Sequence, residues 1–77
     1  MVTVRVSINL KPSLLDSAGR TVASSLRDLD FHEVQDARIG KTITLQLENY
    51  DEARVKSMCD KLLANPVIED YSFEVIE

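Results

Sequence analysis

The chain opens on strict alternation. Val2, Val4, Val6, Ile8 and Leu10 are apolar, and Thr3, Arg5, Ser7 and Asn9 between them are polar. A period of two places all five apolar side chains on one face, so residues 2–10 predict a half-buried β-strand. Lys11-Pro12 ends it, because proline cannot donate to a sheet ladder. The spacing then changes. Ala18, Val22, Leu26 and Leu29 fall on one side of a helix and are its expected buried stripe. That helix starts near Ser13 or Asp16: the pair fits a capping box, and Asp16 alone also serves as an N-cap. Gly19 weakens the helix near its start, and Asp30 stands near its end.

Residues 34–39 predict a second, poorly patterned strand. Gly40-Lys41 fits a two-residue hairpin turn with glycine at the first central position. Residues 42–47 alternate well and predict a third strand. Asn49 with Glu52 is a second capping-box signature. It opens a helix whose stripe is Val55, Met58, Cys59, Leu62 and Leu63. Asn65 suits the left-handed conformation that closes a helix, and Pro66 forbids continuation. Residues 67–76 read as the last strand, with Tyr71, Phe73 and Val75 on one face and Asp70, Ser72 and Glu74 on the other.

The predicted order is β-α-β-β-α-β with short connections. This is an α+β, ferredoxin-like pattern: a four-stranded antiparallel sheet with two helices on one face, in a single domain over residues 1–77. The opposite sheet face would show Thr3, Arg5, Ser7, Asn9, Thr42, Thr44, Gln46, Ser72 and Glu74. Such a face is either solvated or a contact between subunits.

Composition sharpens this picture. A chain of 77 residues buries only ~60% of its unfolded surface, so its own core is marginal. One cysteine gives no disulfide framework, and oligomerisation is the remaining common route to stability. The net charge of −4 and pI of about 4.9 argue against nucleic-acid binding, which needs a basic face. No charged segment precedes an apolar run as in a signal peptide, and no apolar run approaches a membrane span. A cytoplasmic protein is the expectation, and the single cysteine is compatible with it.

Candidate chemistry is sparse. Gly40-Lys41-Thr42 has the wording of a P-loop tail, but Gln35 stands where the earlier glycine is required, and the segment joins two predicted strands. Cys59 lies in an apolar helix stripe, the setting of a packed thiol. His32 has no evident nucleophile or orienting partner. The acidic pairs Asp51-Glu52 and Glu69-Asp70 lack the spacing of a calcium loop. RNA-binding domains of this topology stack bases on aromatics in the first and third strands, and here those strands have none. The loop after the first strand lacks both the arginine and the glycines of acylphosphatases. No catalytic residue, metal or bound cofactor is predicted.

Several pieces match a known family in order and in register. They are Leu10-Lys11-Pro12, Leu15-Asp16, Gly19, Val34 with Asp36, Arg38-Ile39-Gly40-Lys41, Met58-Cys59, and residues 62–71, reading LLANPVIEDY. Over essentially its whole length the chain resembles PurS, the small subunit of phosphoribosylformylglycinamidine synthase. It departs from the family at Ser17, where proline is frequent, at Asp30, where glycine often closes the first helix, and in a shorter acidic stretch before the second helix.

The resemblance implies an accessory subunit of a three-component amidotransferase in purine biosynthesis. A PurQ-type glutaminase releases ammonia. A PurL-type synthetase uses ATP and Mg²⁺, which this chain would not bind itself, to amidate formylglycinamide ribonucleotide. A PurS-like homodimer, or higher oligomer, bridges them and assists ammonia transfer, with neither nucleic acid nor membrane as a partner. The expected partner-binding residues are Lys11, Ser13, Arg38, Lys41, Asn65, Glu69 and Tyr71, with Arg38 and Lys41 facing an acidic patch. The competing expectation is a small-molecule regulatory domain of the ACT type, which shares the topology but usually has glycine in the loop after its first strand.

Overall fold

A computed structural model of the chain describes residues 1–76; Glu77, within the expected domain span, lies outside the described residues. The elements are β1 (Val2–Leu10), α1 (Ser17–Asp28), β2 (Gly40–Leu47), α2 (Glu52–Met58), a π-helical turn (Cys59–Leu63) and β3 (Glu69–Val75). The alternating β1 is the central strand of an antiparallel sheet of order β2-β1-β3. Its register pairs Val4 with Leu45 and Val75, and Val6 with Ile43 and Phe73. Its apolar face is the core. Val4, Val6 and Ile8 are buried against Val55 and Cys59 from the second helix and against Ala64. Tyr71 and Phe73 stack with ring centroids 6.4 Å apart and pack against this cluster. The polar face carries Arg5 and Glu74 as an ion pair at 3.0 Å.

The fold is α+β with two helices, but the described sheet has three strands where four were expected. Residues 34–39 form an irregular segment. The hairpin at Gly40-Lys41 is absent as well. Both residues already belong to β2, with Gly40 paired to Asn9, and no glycine has positive φ. A turn with glycine at its first central position requires positive φ there. The pattern also forbids the hairpin. A two-residue turn would set Arg38 opposite Ile43 and Asp36 opposite Leu45, placing two charges on the apolar face. The chain instead runs straight from 34–39 into β2.

The first helix also differs from expectation. Ala18, Val22 and Leu29 are exposed and Leu26 is half-buried; the buried residues are Gly19 and Ala23, which lie outside the sheet's core cluster. The helix packs on its own following segment. A Cβ on Gly19 would come within 2.3 Å of the Ala37 carbonyl oxygen, so only glycine allows this approach. Arg27 donates to the carbonyls of Val34 and Gln35 at 2.9 and 3.3 Å. Helix α1 and residues 34–39 thus form an arm that leaves the sheet's apolar face to the second helix. The molecule is accordingly long and thin, 47 × 27 × 13 Å, with a radius of gyration of 15.7 Å. A compact chain of this length has a radius of roughly 11 Å.

The helix ends follow local chemistry. Asp16 is the N-cap of α1 and accepts from the Gly19 N–H at 2.8 Å. At the other end Asp30 adopts φ 80°, its N–H reaches the Arg27 carbonyl, and the Phe31 N–H reaches that of Leu26. This is a Schellman closure with aspartate in the place glycine usually takes. Helix α2 is capped by Asp51, whose carboxylate accepts from Ala53 N–H, and not by the expected Asn49. In the π-helical turn the Ala64 N–H reaches back five residues to Cys59. The widened turn swings Leu62 out to 83% exposure and brings Ala64 inward. Asn65 is not left-handed. Its carboxamide oxygen accepts from Val67 N–H, and its carbonyl from Ile68 and Glu69, so a side-chain-closed turn performs the expected stop.

Candidate interaction surface

The seven expected partner-binding residues gather at one end of the sheet. Lys41, Ile8 and Tyr71 form a row across the three strands, and Leu10 pairs with Glu69. Just beyond, the Lys11 N–H donates to the Ile68 carbonyl at 2.9 Å, tying the end of β1 to the 65–69 turn. Ser13 lies exposed in the turn that the Leu14 N–H closes onto Lys11. The Arg38 guanidinium donates to the carbonyls of Leu14 and Lys11 at 2.9 and 3.1 Å. Arg38 therefore clamps the loop after β1, while it remains exposed and makes no ion pair among the described residues. Lys41 is exposed and makes no ion pair among the described residues. Asn65 and Glu69 serve each other, the carboxylate accepting from the Asn65 N–H at 2.7 Å. The Tyr71 hydroxyl donates to Asp60 at 2.9 Å, and this bond, with some desolvation, raises its pKa above 10.0.

Asp16 organises the other side of this end. One carboxylate oxygen caps α1 and the other accepts from the Ile39 N–H at 2.7 Å. Ile39 and Gly19 N–H groups, aided by the nearby Arg38 charge, lower its pKa below 3.8 against the opposing effect of burial. Sequence reasoning identified the cap but not this second bond, which joins residues far apart in the chain. It also missed a set of exposed apolar side chains here: Leu15, Ile39, Leu62, Val67 and Ile68. Val67 was placed in a strand and Leu62 in a buried stripe; only the local turn geometry turns them outward.

His32 lies 2.7 Å from the Asp30 carboxylate, and both are exposed. Cys59 is fully buried, and desolvation raises its thiol pKa above 9.0. Among the described residues no three His, Cys, Asp or Glu side chains are grouped to hold a metal, and no helix is long and apolar enough to cross a membrane.

The fold is that of a small α+β domain. The family model described as PurS, phosphoribosylformylglycinamidine (FGAM) synthase, matches residues 3–77, and the chain belongs to that family. It is 49% identical to the PurS subunit of phosphoribosylformylglycinamidine synthase from Bacillus subtilis, across 100% of this chain and 95% of that protein. The solved B. subtilis PurS chain superposes with a TM-score of 0.92 over the whole of both chains, so the extended arm is common to the two. A chain from the structure of PurLQS from Thermotoga maritima, 28% identical, superposes with a TM-score of 0.85 over 97% of this chain and 96% of that one.

Proposed function

We propose that the chain is the non-catalytic bridging subunit of a cytoplasmic phosphoribosylformylglycinamidine synthase. It holds a PurQ-type glutaminase against a PurL-type synthetase and assists the passage of ammonia between them. The observation that carries this reading is the full-length match to a T. maritima chain solved within PurLQS. The end of the sheet carrying Lys11, Ser13, Lys41, Asn65, Glu69 and Tyr71 is the docking surface, and Arg38 keeps its loops in place. Arg38 and Lys41, both exposed and neither in an ion pair among the described residues, are the cations that meet an acidic patch on a partner. ATP and Mg²⁺ belong to the synthetase. The four-stranded, ferredoxin-like form of the sheet belongs to the assembled protein.

The test is glutamine-driven FGAM formation by the other two subunits, with and without this chain, beside an ammonia-driven control. The expected result is that only the glutamine-driven rate depends on the chain. Equal dependence of both rates, or of neither, would overturn the bridging role. Lys41→Glu is expected to weaken complex formation while leaving the fold intact.

A further inference from the structure

A subunit that bridges two proteins needs two faces, and the end of the sheet supplies one. The outer side of the second helix supplies another. Val55 and Cys59 point into the core, so Ala53, Arg54 and Lys61 lie exposed on the far side, with Ser57 and Met58 half-buried between them. These five residues line a furrow of about 350 Å³. Ala53 and Ser57, small and four residues apart, leave room for the ridge of another helix.

The charge of the furrow runs against that of the chain. The sequence holds 13 Asp and Glu against 9 Lys and Arg, yet the furrow has two cations and no acid. Two of the neighbouring acids are engaged elsewhere: Asp51 caps the helix, and Asp60 accepts from the Tyr71 hydroxyl. Arg54 and Lys61 make no ion pair among the described residues. The π-helical turn adds an apolar anchor. Had the α-helix continued, Leu62 would fall seven residues after Val55 and return to the buried stripe. The widened turn leaves it 83% exposed, next to Lys61 and four residues after Met58. Such widened turns are frequent at functional sites.

We propose that this face docks an acidic amphipathic helix of one partner subunit. Met58 and Leu62 take its apolar side, and Arg54 and Lys61 pair with its carboxylates. Two cations are too few to track a phosphate backbone, and apolar side chains between them suit a helix with one apolar face. The proposal rests on the bridging role and gives the bridge its second grip.

The experiment adds the full chain or its variants to the two partner subunits, with glutamine, ATP and Mg²⁺, and reads assembly by sedimentation velocity at low and high salt. Arg54→Glu with Lys61→Glu is expected to weaken assembly about a hundredfold and to flatten its salt dependence. Leu62→Ser is expected to weaken it about tenfold and to leave the salt dependence unchanged. These three side chains are exposed, so the melting temperature of the chain should hold. If the charge reversal lowers helix content, Arg54→Gln with Lys61→Gln replaces it, with a loss of about tenfold expected. A photo-crosslinker at Ser57 is expected to mark a helix rich in Asp and Glu in one of the two subunits, and a mark elsewhere overturns the proposal. Assembly by these variants within about twofold of the unmodified chain overturns it too, and leaves the bridging role standing. An unmodified chain that does not enter the assembly overturns both.

Discussion

The sheet with its second helix and the arm built on α1 are stabilised in different ways. In the sheet half, Val4, Val6, Ile8, Val55 and Cys59 exclude water almost completely, and apolar burial dominates. In the arm, only Gly19, Ala23 and the Asp16 cap are buried, and the segment is tied by hydrogen bonds from Asp16 and Arg27 to backbone groups. Both halves expose apolar side chains, Leu62 and Val67 in one and Leu15 and Leu29 in the other, but only the sheet half also has a fully buried cluster of large ones. The contrast teaches that an amphipathic stripe predicts that a helix will bury a face, but not which molecule supplies the other side.

Mutations can break this contrast. Ile8→Ala is expected to cost about 3 kcal/mol in chemical denaturation, at any protein concentration, because it opens a cavity in a packed core. Leu29→Ala in the arm is expected to cost under about 0.5 kcal/mol in the dilute protomer and more as concentration rises. A concentration-independent cost for both would erase the distinction. Gly19→Ala separates the arm's geometry from helix propensity. Alanine favours the helix by about 1 kcal/mol, but its Cβ would press on the Ala37 carbonyl, and the net expectation is a loss of about 1 kcal/mol.

Acid provides a third probe. The Asp16 pKa is lowered in the folded chain, chiefly by the N–H groups of Ile39 and Gly19. Its contribution is therefore complete above the unfolded value of 3.8 and disappears as pH falls through the lower folded value. Thermal melts followed by signals from the arm should show this loss below pH 3.8, and Asp16→Asn should remove it. The smallest expected effect is at the end of α1. Asp30→Gly relieves a left-handed aspartate and should stabilise by about 0.5 kcal/mol. A loss would show that the Asp30–His32 contact outweighs backbone strain.

Much of the sheet half was legible in the sequence. The alternation of β1, the pairing face of Tyr71 and Phe73, and the stripe residues Val55 and Cys59 all lie where local periodicity places them. So does the Asp16 cap. The arm was less legible because its structure rests on distant contacts. At Gly40 the local wording suits a turn, and only the register argues otherwise, since a turn would put Arg38 and Asp36 on the apolar face. The glycine instead runs straight beneath Asn9. The π-helical turn hides for a similar reason: one widened turn changes which leucine is buried without altering residue types. Of the candidate surface, the polar residues were legible as a set, because loop residues at the end of a sheet converge. The apolar ones, Leu62 and Val67, were misassigned by periodicity extended past the turn.

The central position of β1 also governs the order of events during synthesis. β1 pairs with β3, far away in sequence, Val4 lying opposite Val75 and the Ile76 N–H bonding the Thr3 carbonyl. A nascent chain can assemble α1 and its 34–39 tie early, since those contacts are short in sequence. β1 can pair with β2 once residue 47 is made, whereas its pairing with β3 must wait for residues 69–75. A chain halted before residue 69 would therefore hold a formed arm and a β1 with one edge still open.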